Sequence, residues 1–195
     1  VTGPNVFFNP RELAGNGLDD DGNGRIDDVI GIDVFNGTSD PLDDNGHGTH
    51  VSGTIGAIGN NSLGVVGVNW NVKIAPCKFL DSTGNGSIVD AVVCLDYLLD
   101  LKLNRGVNIV ATNNSYGALG AFSQTMLDAI RAHRDAGILF ITAAGNFGVD
   151  NDTSDFYPAN FDVSNVIAVA ATDHNDLLPS FSDFGRRTVH IGAPG

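Results

Sequence analysis

The segment Asp19-Asp20-Asp21-Gly22-Asn23-Gly24-Arg25-Ile26-Asp27-Asp28 places oxygen-bearing residues at alternate positions around a glycine. That spacing opens an EF-hand-type loop, in which oxygens at every second position turn toward a hard cation and glycine makes the sharp bend. Asp19, Asp21, Asn23, Arg25 and Asp27 are the candidate ligands, and Ca2+ is the ion that suits them. The loop's last ligand position is Ile30 where a bidentate glutamate is expected, so ligation must be completed elsewhere, with Asp27 or Asp28 the nearest carboxylates. A solvated acidic loop is the plainer alternative. A second concentration of chemistry is Asn45-Gly46-His47-Gly48-Thr49-His50-Val51-Ser52-Gly53. Histidines one turn apart on a helix can bind zinc, but no glutamate lies between these two and no third ligand follows at helical spacing, so that reading is set aside. The glycines at 46, 48 and 53 permit close backbone approach around the histidine ring. The third is Asn146, in Thr142-Ala143-Ala144-Gly145-Asn146-Phe147-Gly148. Taken alone, it is an asparagine tolerating positive φ in a turn after a strand.

Residues 1–46 are rich in Gly, Asn, Asp and Pro and read as irregular structure ordered by an ion. From His47 onward, short apolar runs alternate with amphipathic stretches. The runs at 73–80, 107–112, 137–142 and 166–171 predict buried parallel strands. The stretch 87–103 predicts a helix with Ile88, Ala91, Val92, Leu95, Leu98 and Leu99 on one face. A second helix, 123–136, carries Met126, Leu127, Ile130 and Ala136 inward and stops at Gly137. Strands alternating with helices imply right-handed crossovers, hence an α/β fold with a doubly wound, mostly parallel sheet and helices on both faces. In such sheets the site lies beyond the C-terminal strand ends. Asn113-Asn114-Ser115-Tyr116-Gly117 and Gly145-Asn146 both follow directly on predicted strands. No linker or internal repeat divides the chain.

The His47 and Asn146 motifs, in this order and about a hundred residues apart, resemble those of subtilisin-type serine proteases. The resemblance implies that His47 is the general base, with His50 a structural neighbour, and that Asn146 donates its side-chain amide to the oxyanion. It implies that Ala143, Ala144 and Gly145 form the small-residue wall of the P1 pocket and that Phe156 lies at its base, with no acidic residue to favour a basic P1. Ser115, Tyr116 and Gly117, together with Gly84, Asn85 and Gly86, would pair with the substrate backbone as added strands. The Tyr157-Pro158 bond becomes a candidate cis peptide. Gly59-Asn60-Asn61-Ser62-Leu63-Gly64-Val65 is similar to the family's strong calcium loop, with Asn61 binding by its side chain and Gly59, Leu63 and Val65 by their carbonyls. On this reading residues 1–195 are part of a subtilisin-like peptidase domain, in which 1–46 are a calcium-loop insert.

The family's aspartate motif and its Gly-Thr-Ser-Met-Ala nucleophile motif do not occur in the sequence. Asp33, in Val29-Ile30-Gly31-Ile32-Asp33, continues into Val34-Phe35, and the resemblance implies that it is part of the family's insert ahead of the histidine. The expectation is a serine endopeptidase whose 195 residues do not hydrolyse peptides by themselves. The alternative is a non-catalytic calcium-binding scaffold with the same fold. Retention of both His47 and Asn146 favours the enzyme. A formal charge of -13 excludes a phosphate-backbone partner. No apolar run approaches a membrane span, and the first residues lack the features of a signal peptide. Cys77 lies in a strand-like run and Cys94 in a helical one, so they are two buried thiols or one strand-to-helix disulfide. Expected partners are a peptide or protein substrate and a propeptide or inhibitor. Family habit and the calcium loops suggest a secreted or extracytoplasmic location. Asn36 and Asn151 head Asn-x-Thr tripeptides that are candidate glycosylation acceptors.

Overall fold

The computed structural model describes residues 3–195. The chain forms two compact units, Val1–Cys94 and Leu95–Gly195, and the division falls inside a helix rather than in a linker.

The first unit is mostly loop, as its Gly, Asn and Asp content dictates. Its regular elements are β1 (Ile32–Asp33), α1 (His47–Gly56) and β2 (Cys77–Lys78), together with the first turns of α2 (Ile88–Leu103). Strands β1 and β2 pair in parallel, Ile32 opposite Cys77 and Asp33 opposite Lys78. The strand expected over 73–80 shortens to those two residues, and Pro76, which has no N–H to give a ladder, immediately precedes them. Backbone bonds between distant segments, such as Phe7 N–H to the Ile74 carbonyl and Asn9 N–H to the Val29 carbonyl, and side-chain contacts together hold these loops. Buried Asn5 donates to the carbonyls of Gly56 and Trp70. The Asp33 carboxylate lies 3.2 Å from the Lys78 ammonium. Burial opposes the charge on Asp33, but the two N–H donors of Asn36 and the Lys78 ammonium outweigh it and hold the carboxyl below its usual range. Cys77 and Cys94 form a disulfide. This removes the buried-thiol alternative and ties β2 to α2 where the unit has little apolar core of its own.

The second unit is built on a parallel sheet of β3 (Ala111–Asn114), β5 (Leu139–Ala143), β7 (Val166–Thr172) and β8 (Ile191–Pro194), in the order β3-β5-β7-β8. A small antiparallel pair joins β4 (Ala118–Leu119) to β6 (Phe156–Tyr157). The α/β fold with a mostly parallel sheet is therefore as the apolar runs predict. Ser87 caps α2: its hydroxyl accepts from the Asp90 N–H and donates to the Asp90 carboxylate. In α3 (Gln124–Asp135) the Ser123 hydroxyl accepts from the Met126 N–H, and Met126, Ala129, Ile130 and His133 form the buried stripe. That stripe packs on β5, in a core where Ile138, Phe140 and Ala168 are fully buried. His133 is also fully buried. Its Nε2 is 2.9 Å from the Leu95 carbonyl, which fixes Nε2 as the protonated nitrogen. The Tyr157-Pro158 bond is cis.

Candidate active site

In the second unit the candidate residues gather at the C-terminal ends of β3 and β5. Buried Asn114 closes β3: its amide donates to the carbonyls of Thr112 and Ile141, and its oxygen accepts from the Tyr116 hydroxyl. That network fixes the exit of Ser115, Tyr116 and Gly117 from the sheet. Gly117 lies against Phe156 so closely that a Cβ there would fall 2.4 Å from the ring. Gly145 approaches the other side of the same ring, where a Cβ would stand 3.3 Å from it. Gly117, Gly145 and Phe156 are thus brought together, and Phe156 is buried. Ala144 is buried, and its carbonyl accepts from the amide of Asn151, a fully buried residue. That burial withdraws Asn151 as a glycosylation acceptor. Asn146 is exposed at the tip of the loop after β5, and its amide donates to no described residue.

In the first unit, His47 opens α1 on an exposed face. Gly46 precedes it with φ 101, a left-handed conformation that suits glycine. The entry loop is organised by Asp43. One carboxylate oxygen accepts from the N–H groups of Asn45 and Gly46, and the other from the N–H and hydroxyl of Thr49. Partial burial works against the charge of Asp43, but these donors together hold its carboxyl well below the usual range. Asn45 also donates to the Ser82 carbonyl, linking the histidine loop to the turn that carries Gly84, Asn85 and Gly86. Asp81 shapes that turn by accepting from Thr83 and from the Asn85 N–H. Gly86 bridges back to Leu80 in antiparallel fashion.

In the acidic loop several side-chain oxygens accept from nearby backbone N–H groups. Asp19 spends both carboxylate oxygens on the N–H groups of Gly22, Asn23 and Gly24. Asp27 spends its own on Gly15, Asn16 and Gly17. Asn23 accepts from the Arg25 N–H and donates to Asp28. The oxygens that converge belong to Glu12, Asp21 and Asp28, all within 4.8 Å of one another. Glu12 is 6% exposed; its Oε1 accepts from the N–H groups of Asp20 and Asp21, while its buried Oε2 has no hydrogen-bond partner. Burial, reinforced by the charges of Asp28 and Asp21, pushes the Glu12 carboxyl above its usual range. Asn9, almost fully buried, orients the pair by donating to Asp21 and Asp28. An orphaned acceptor facing two further carboxylates is an all-oxygen donor set that a divalent cation would complete. In the other calcium candidate, Leu63 and Val65 are exposed, and the Asn61 side chain accepts from the Leu63 N–H.

The model of the subtilase family matches residues 10–195. The chain belongs to the subtilase family. Subtilisin-like protease 1 of Plasmodium falciparum (isolate 3D7) is 35% identical over 210 residues, covering 98% of this chain and 30% of that protein. The thermostable alkaline protease of Halalkalibacterium halodurans is 40% identical over 153 residues, covering 78% of this chain and 38% of that protein. The crystal structure of a cold adapted subtilisin-like serine proteinase superimposes with a TM-score of 0.68 at 27% identity, over 98% of this chain and 60% of that one. The psychrophilic subtilisin-like protease Apa1 from Pseudoalteromonas sp. AS-11 gives a TM-score of 0.68 at 36% identity, over 85% of this chain and 36% of that one. The chain thus spans well under half the length of these two curated relatives.

Several residues that organise this subtilase chain escape a motif reading. Glu12, Asn9, Asn151 and Asp183 lie outside the motifs and act through contacts distant in sequence. Asp43 had a local signal, an acidic residue shortly ahead of a helix start, where a carboxylate satisfies open N–H groups.

Proposed function

We propose that this chain is part of a serine endopeptidase in which His47 is the general base and Asn146 the oxyanion donor. In that chemistry a histidine takes the proton of a nucleophilic hydroxyl as it attacks the scissile carbonyl, and preorganised donors stabilise the resulting oxyanion. The observation that carries the reading is the family-specific asparagine itself: Asn146 presents a free, exposed amide at the end of a parallel strand, beside the small group formed by Gly117, Gly145 and Phe156. In the same reading Ala143, Ala144 and Gly145 wall the P1 side chain. Ser115, Tyr116 and Gly117, with Gly84, Asn85 and Gly86, pair with the peptide backbone. A propeptide or inhibitor would use the same edges.

The orienting aspartate and the nucleophilic serine are assigned to no residue among these 195, and residues 1–195 alone are proposed not to turn over peptides. Ca2+ is the ion proposed for Glu12, Asp21 and Asp28, with Gly59, Asn61, Leu63 and Val65 a second candidate loop, and its role is to hold the loop rather than to join the chemistry. A disulfide and calcium-dependent loops both fit a secreted or extracytoplasmic setting.

The test is peptide hydrolysis by the full-length protein, with His47→Ala and Asn146→Ala variants. Wild type should cleave a fluorogenic peptide with fluorophosphonate sensitivity. His47→Ala should abolish turnover, and Asn146→Ala should lower kcat by about 10²–10³, the magnitude established for removing this donor in subtilisin itself. Turnover undiminished in His47→Ala would overturn the proposal.

A further inference from the structure

We propose that Asp183 is the positioning residue of the oxyanion loop, holding Asn146 in place through the backbone on either side of it. The inference rests on the oxyanion role given to Asn146 above.

Asp183 is fully buried in the second unit and more than thirty residues from the loop it binds. Its Oδ1 accepts from the Phe147 N–H at 2.7 Å and from the Val149 N–H at 3.1 Å. Its own N–H donates to the Gly145 carbonyl at 3.0 Å. The neighbouring backbone completes the clamp, with Gly148 N–H bonded to the Phe181 carbonyl and Phe184 N–H to the Val149 carbonyl. Ser182 anchors the clamping segment to β7, accepting from the Ala171 N–H and donating to the Asp183 carbonyl. The backbone of the loop is therefore fastened at 145, 147, 148 and 149, while the side-chain amide of Asn146 donates to no described residue. An oxyanion donor works because its direction is set before charge develops, and a loop held on both sides of it meets that requirement.

The choice of a carboxylate is also explicable. Bonds from backbone N–H to a charged acceptor are about twice as strong as neutral ones. The second oxygen, Oδ2, is buried without a hydrogen-bond partner and lies 2.0 Å from where a Cβ of residue 145 would stand. Gly145 is thus required by Asp183, independently of any pocket.

The experiment uses the full-length protein with kcat measured per active site titrated by a fluorophosphonate. Asp183→Ala should lower kcat by about ten- to a hundredfold with KM within about twofold, as expected of a misplaced donor. Asp183→Asn retains an oxygen acceptor at the Oδ1 position and should recover kcat to within about threefold of wild type. In an Asn146→Ala background, Asp183→Ala should remove less than about a further threefold, because the residue acts only through that amide. Multiplicative losses in the double variant, or an unchanged kcat per titrated site in Asp183→Ala, would overturn the proposal. If Asn146→Ala itself left kcat intact, the oxyanion reading would fail instead, which is a different and separable result.

Discussion

Replacing Glu12 by glutamine should have opposite effects with and without a divalent cation. The Glu12 Oε1 already satisfies two backbone N–H groups, and glutamine's carbonyl oxygen can keep both. What changes is the other atom. A buried acceptor beside Asp21 and Asp28 becomes an amide donor aimed at those carboxylates. The ligand oxygens lie within 4.8 Å of one another, and two unit charges at that separation repel by roughly 3.5 kcal/mol at an effective dielectric constant of ~20. With side-chain relaxation, and with a hydrogen bond to a charged group worth about 1.5–3 kcal/mol, the variant should gain about 2 kcal/mol in chelator. Hydrogen exchange of the loop amides at residues 12–30 reads this locally, and about 2 kcal/mol is about thirtyfold slower exchange. With Ca2+ at a hundredfold excess over its dissociation constant, wild type should gain about 2.7 kcal/mol, near a hundredfold slowing. Glu12→Gln should lose most of that increment because it has given up a charged ligand. Faster exchange of the variant in chelator, or a full calcium increment in the variant, would refute the reasoning.

Exchanging both Cys77 and Cys94 for serine should cost about 3 kcal/mol in urea unfolding of the first unit, the loop-closure value for a separation of 17 residues. His133 is held neutral, its pKa lowered chiefly by burial and only partly restored by the Leu95 carbonyl and the charge of Asp96. Its contribution is therefore complete above the unfolded value of about 6.5 and declines as pH falls from there toward the lowered folded value. The urea midpoint should fall over that window, and His133→Gln should flatten the dependence. Gly117→Ala places a methyl 2.4 Å from the Phe156 ring. Overpacking of this kind costs about 1–3 kcal/mol, and, on the proposed function, kcat/KM of the full-length protein should drop more for large P1 residues than for small ones. Equal losses across P1 sizes would detach Gly117 and Phe156 from the pocket.

The sequence by itself determined the family, the parallel α/β character and both main helices to within a residue or so. These are local signals. Helix periodicity, apolar runs and contiguous motifs are written in adjacent residues, and a few neighbours suffice to read them. Tertiary structure alone decided which oxygens converge. Asp19 and Asp27 sit at ligand spacing, yet each turns back on nearby backbone N–H groups, because in a glycine-rich loop those open donors are the closest partners. Glu12 enters the cluster from outside the motif. The same holds for Asn151 and Asp183, whose partners at the end of β5 lie 7 and 34 to 36 residues away. It also holds for the cysteines, where strand-to-helix packing turned an open alternative into a bond. A buried polar group takes whichever partner the fold brings to it, since leaving it unpaired costs about 1–3 kcal/mol, and no linear spacing announces which partner that will be.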